Sequence, residues 1–126
     1  MALRCLIVDD NARFRESMRD LLESEGLVVV GTAASGAEAV RIARELRPDL
    51  ALVDVDLGDE SGFDVVRTLD NEVRPTPRLI LTSTHDGREV SDLVAGSGAV
   101  GFLAKLDLSA AAITQLLARA DGAGPR

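Results

Sequence analysis

Residues 5–11, CLIVDDN, set four apolar side chains in a row against two adjacent carboxylates, Asp9 and Asp10. A short run that is apolar throughout, rather than alternating, reads as a strand buried on both faces, the pattern of a parallel sheet covered by helices. Why such a strand should end in two like charges is the question that the rest of the chain answers. Directly after Asn11, the residues Phe14, Met18, Leu21 and Leu22 recur at i, i+4, i+7 and i+8. That spacing predicts an amphipathic helix, α1, with Asn11 as N-cap and Gly26 just past its end.

The alternation continues outward from there. Residues 27–33 (LVVVGTA) read as a β-branched second strand. Ser35 and Glu38 have capping-box spacing and open helix α2 through Val40, Ala43 and Leu46, which Pro48 stops. Residues 50–53 (LALV) give the third strand and 54–62 (DVDLGDESG) a loop. Helix α3 is expected from about Phe63 to Leu69, a break at 74–77 (RPTP), and a fourth strand at 78–81 (RLIL). A weak helix α4 around Val90 to Ala95 leads through Gly96 and Gly98 to a fifth strand, 101–104 (GFLA). Ser109 caps a last helix, α5, with Ile113, Leu116, Leu117 and Ala120 on one face. Five βα units predict one α/β domain over residues 1–120, a doubly wound five-stranded parallel sheet with right-handed crossovers, and 121–126 as tail or start of a linker.

Composition excludes several classes. The net charge of −7 argues against direct nucleic-acid binding by this domain. No apolar run reaches the length of a membrane span, and the short apolar start is too brief for a signal peptide. The single cysteine, Cys5, lies inside the first apolar run and is expected to be an inert core thiol, in keeping with a cytoplasmic location. Thirteen arginines stand against one lysine, Lys105, which marks that position as one where a compact point charge is needed.

Four of the five strands end in chemically capable residues: Asp9 and Asp10, Asp54, Thr82 and Ser83, and Lys105. In a doubly wound sheet those ends share one edge, where the ligand crevice lies. Like charges 4 Å apart repel by about 4 kcal/mol at an effective dielectric of 20, so three gathered carboxylates call for a cation. All-oxygen ligands in a loop crevice favour Mg²⁺, or Mn²⁺. The acidic pair ends its strand because that is where its charge can be used. Any one strand-end Asp is more ordinarily a turn or cap residue; the set, in this order, is not.

These residues resemble the receiver domain of two-component response regulators, over roughly residues 3 to 120: LIVDDN (6–11) is similar to the acidic pair, LALVDVDLGDESGFD (50–64) to the phosphoacceptor loop, LILTS (79–83) to the hydroxyl position and GFLAK (101–105) to the lysine strand. The resemblance implies a flavodoxin-like (βα)5 fold with strand order 2-1-3-4-5. It implies Asp54 as phosphoacceptor and metal ligand, Asp10 as a direct Mg²⁺ ligand, Asp9 acting mainly through water, and the Asp56 backbone carbonyl as a further ligand. Lys105 and the Thr82 hydroxyl would hold phosphoryl oxygens, and Lys105 would pair with Asp54 beforehand and keep it ionised. Thr82 and Phe102 would form a switch that re-forms the α4–β5–α5 face (β5 being the fifth strand), the surface of a possible homodimer, with ordinary core packing as the competing reading of Phe102. Asp56 and Thr84 would tune hydrolysis. The implied partner is a sensor histidine kinase or phosphotransfer protein, with no membrane.

The chain departs from that pattern at Leu106, where proline usually follows the lysine, which predicts a trans peptide and a reshaped β5–α5 loop; and at 57–59 (LGD), where a proline is common. Two rivals stand beside the receiver. A haloacid-dehalogenase-type phosphatase also uses D-x-D, as in 54–56, but its second acidic pair follows the lysine, where this chain has only Asp107 and Asp121. A receiver-like adaptor that signals without phosphorylation would not need the full acidic, hydroxyl and lysine set. The G-x-G-x-x-G match at 96–101 precedes a strand instead of following one, and His85 reads as a loop residue near the site.

Overall fold

A computed structural model describes residues 2–84, 94 and 96–122. The strands β1 (Arg4–Val8), β2 (Val28–Ala33), β3 (Leu50–Asp54), β4 (Arg78–Ser83) and β5 (Gly101–Ala104) form one sheet, in the expected order β2-β1-β3-β4-β5. Every pairing in it is parallel. Helices α1 (Ala12–Ser24), α2 (Gly36–Leu46), α3 (Gly62–Glu72) and α5 (Ala110–Gly122) cover it. The predicted α4 falls outside the described residues except for Val94, which is helical. Among the described residues no helix is long and apolar enough to cross a membrane.

Each strand is apolar throughout because successive side chains feed two cores. Leu6, Val8, Ala51, Val53, Leu79 and Leu81 pack with Ala39 and Ile42 of α2 and Val66 and Leu69 of α3. Cys5, Ile7, Leu50, Leu52 and Ile80 pack with Met18 and Leu22 of α1 and Ile113 and Leu117 of α5. Each fully buried Leu or Ile contributes roughly 1.5–3 kcal/mol relative to exposure. Cys5 is wholly enclosed, and burial pushes its thiol pKa up to about 12, the chemistry of a core thiol.

The caps explain where the helices start. Asn11 Oδ1 accepts from Phe14 N at 3.1 Å, Ser35 Oγ from Glu38 N at 3.3 Å and Ser109 Oγ from Ala112 N at 3.0 Å. Glu38 closes its end of the box on Ala34 N, one residue earlier than the standard pattern. Gly26, at φ +97, follows the C-cap of α1 as expected. The Arg4 guanidinium donates to the Arg47 and Leu46 carbonyls and so closes the end of α2.

Several boundaries shift. Helix α3 runs through Glu72, and β4 continues through Thr82 and Ser83, both buried. Leu21 is 37% exposed rather than core: it lies about 60° around the helix from Met18 and about 100° from Leu22, at the edge of the stripe. The loop after β3 contains a two-residue antiparallel hairpin, Asp56–Leu57 against Glu60–Ser61, turning on Gly58 at φ +74.

That hairpin returns the chain so closely that Gly62 N donates to Val55 O at 2.7 Å, and a Cβ on Gly62 would lie 1.9 Å from the Asp54 carbonyl oxygen. Gly62→Ala should therefore cost about 2 kcal/mol or more, whereas Gly96→Ala, with open space around the new Cβ, should be close to neutral. Denaturant unfolding of the two variants checks the contrast.

Candidate functional site

The strand ends meet as the topology requires. Asp9 follows β1, Asp54 ends β3 and Lys105 follows β5; all continue the register of the face that packs on α1 and α5. Lys105 Nζ lies 2.7 Å from Asp9 Oδ2 and 3.1 Å from Asp54 Oδ2, and 4.2 Å from the centroid of the Phe14 ring. Asp9 Oδ1 accepts from Asn11 N at 2.9 Å, and Asp54 Oδ1 from Asp56 N at 3.2 Å. Asp9 Oδ2 is fully enclosed and faces the ammonium as an ion pair, with no well-formed hydrogen bond. Asp9 and Asp54 are buried and Asp10 is exposed.

Carboxylate oxygens of Asp9, Asp10 and Asp54 lie within 4.8 Å of one another. They line a cleft of about 230 Å³ together with Asn11, Asp56, Gly58, Ser83, Thr84 and Lys105. Roomier concavities lie between α2 and α3 and at the opposite end of the sheet, but neither gathers charges of this kind.

Burial is the largest influence on Asp54 and raises its pKa; Asp9 adds to the rise, while the Asp56 N–H and Lys105 oppose it. Lys105 is raised: burial disfavours its charge, but Asp9 and Asp54 outweigh that. The Lys105–Asp54 pair is present, and it lowers the Asp54 pKa without cancelling the rise from burial. Among the described residues, one ammonium faces three carboxylates here. The all-oxygen donor set and the enclosed, weakly partnered Asp9 oxygen suit a hard divalent cation.

Two hydroxyls end β4. Thr82 is level with Asp54 in the β3–β4 register, but it is 2% exposed and does not line the cleft. Ser83, one residue on, does. Leu81 pairs with Phe102, Thr82 with Leu103 and Ser83 with Ala104, so Ser83 and Phe102 share one face of the sheet while Thr82 lies on the other. Phe102 is half-buried and packs on the core beneath α3. By this register Thr82 continues the face of Asp54 and Lys105, and Ser83 that of Phe102. Thr84 lines the cleft and is exposed, and His85 lies outside the described residues.

Known proteins place this geometry. The family model for the response regulator receiver domain matches residues 5–118. A protein-glutamate methylesterase/protein-glutamine glutaminase of Pseudomonas syringae pv. syringae is 39% identical over 107 residues, covering 83% of this chain and 28% of that protein. The chain thus spans less than a third of the length of such relatives. A LuxR-family two-component response regulator from Aurantimonas sp. SI85-9A1 superposes with a TM-score of 0.83 at 28% identity, covering 97% of this chain and 87% of that one. The signal receiver domain of the response regulator NarL from Mycobacterium tuberculosis gives 0.78 at 30% identity, covering 96% and 98%. The chain belongs to the response regulator receiver domain family.

Proposed function

We propose that the chain is a phosphoacceptor switch, taking a phosphoryl group on Asp54 from a phosphohistidine of a sensor kinase or phosphotransfer protein in the cytoplasm. The observation that carries this reading is the Asp54 carboxylate, 3.1 Å from the chain's one lysine, in a cleft that holds two further carboxylates. Asp9, Asp10 and the Asp56 backbone carbonyl would hold Mg²⁺ or Mn²⁺, which supplies charge neutralisation for an in-line transfer. The Asp54 carboxylate attacks phosphorus, a P–O bond forms as the P–N bond to the donor imidazole breaks, and the bonding electron pair leaves with the nitrogen. Lys105 moves from the carboxylate to a phosphoryl oxygen, and the Thr82 hydroxyl, level with Asp54 in the register, donates to another. Drawing Thr82 toward the phosphoryl group vacates space into which Phe102 turns and passes the event toward the α4–β5–α5 surface. Asp56 and Thr84 border the path of the hydrolytic water. The product is one phosphoryl per chain, a signal rather than metabolic turnover, and this part of the chain contacts neither nucleic acid nor membrane.

Asp54→Asn should abolish labelling by a small acyl-phosphate donor, as should chelation of the divalent ion; label retained on a folded Asp54→Asn protein rejects the assignment. Thr82→Val, which keeps the volume of a buried side chain and removes its hydroxyl, should slow labelling by about tenfold to a hundredfold, the worth of one charge-assisted hydrogen bond. Ser83→Ala should leave the rate within about threefold. Stopped labelling time courses for the two variants decide between the hydroxyls. Lys105→Arg should impair uptake by at least about tenfold, because a planar fork does not replace a point charge held between two carboxylates; parent-like kinetics would remove that role from the ammonium.

A further inference from the structure

We propose that Phe14 is a positioning residue for phosphoryl transfer, its ring holding the Lys105 ammonium in place while that ammonium changes partners. The inference rests on the phosphoacceptor reading and deepens it. Lys105 Nζ sits 4.2 Å from the ring centroid, inside the range of a cation–π contact. The lysine side chain is 12% exposed, so its head has given up most of its water. Among the described residues it meets Asp9 Oδ2, Asp54 Oδ2 and the aromatic face.

The ring is placed with care for a residue that would otherwise only fill space. Asp9 Oδ1 accepts from Asn11 N, Asn11 Oδ1 accepts from Phe14 N, and the Phe14 ring carries the ammonium that returns to Asp9 Oδ2. This closed circuit ties the first turn of α1 to the lysine across the sheet edge. Phe14 is half-buried and packs on the core of the α1 and α5 face, so its ring has a fixed floor.

The chemistry calls for such a support. On phosphorylation Asp54 loses its carboxylate charge, and the ammonium must leave Asp54 Oδ2 for a phosphoryl oxygen. A hydrogen-bonding support would fix one direction and resist that shift. An aromatic face attracts a cation without a fixed direction, so the ammonium can slide across it while staying stabilised. A leucine at position 14 would satisfy the core equally well and give the lysine nothing.

The test replaces Phe14 with 4-fluoro-, 3,5-difluoro- and 3,4,5-trifluorophenylalanine, which drain the ring face of negative charge with little change of shape. Labelling of Asp54 by acetyl phosphate at saturating Mg²⁺ should slow stepwise, by about threefold to tenfold across the series, with unfolding midpoints constant and Phe14→Leu at the slow end. Equal rates across the series overturn the proposal and leave Phe14 a packing residue. A second readout needs no phosphoryl chemistry: the Lys105 Cε protons of the unmodified protein should resonate upfield from the ring current and return to ordinary positions in Phe14→Leu. An upfield shift that survives Phe14→Leu, or none in the parent, overturns the contact itself. Absence of label on the parent chain, with the ring-current shift intact, instead overturns the phosphoacceptor reading and the role drawn from it.

Discussion

One lysine shared by two enclosed carboxylates is the interaction on which this site depends. Lys105 reaches Asp9 at 2.7 Å and Asp54 at 3.1 Å. Removing the lysine would leave buried carboxylate charge without this partner, a loss of about 3–5 kcal/mol in comparable settings. The compensation is also incomplete, since burial raises the Asp54 pKa despite the lysine beside it. A site assembled for stability alone would not keep a third acid, Asp10, at the same mouth. Among the described residues, that excess of carboxylate suits a hard divalent cation.

The fold delivers this arrangement through parity. Each strand offers alternate side chains to two cores, and at the C-terminal edge that alternation sorts the functional groups. Asp9, Asp54, Thr82 and Lys105 continue the face that packs on α1 and α5, whereas Ser83 and Phe102 belong to the face beneath α3. A single residue of register separates Thr82 from Ser83, and it decides which face each hydroxyl takes.

The sheet was legible because a parallel sheet covered on both faces writes itself as unbroken apolar runs, and the four strand-end signals fell where those runs stop. Helix starts were legible through Asn11, Ser35 and Ser109, whose side chains do cap α1, α2 and α5. The fourth strand was read two residues short because its apolar run stops at Leu81, before the two hydroxyls that continue it; composition marks where a run ends, and parity marks which face each hydroxyl takes. Phe14 read as core because helical spacing reports the stripe it belongs to, and the ammonium above it arrives from a residue 91 positions later in the chain. The hairpin at 56–61 was invisible for a similar reason, since two-residue strands carry no periodicity.

Both departures from the family's usual proline positions are absorbed by local structure. At 57–59 the chain turns on Gly58 in the left-handed region, and a ladder of short contacts fixes the loop: Asp56 N on Asp54 Oδ1, Gly58 N on Asp56 Oδ1, Gly62 N on Val55 O and Val55 N on Thr82 O. Glu60 carries that order outward by accepting from Gly36 N at the start of α2. After Lys105 the chain makes one 3-10 turn, Lys105–Asp107, through a trans peptide, and Leu106 stands 96% exposed while the ammonium stays in the cleft. Leu106 therefore changes the exposed surface of this loop and not the lining of the cleft.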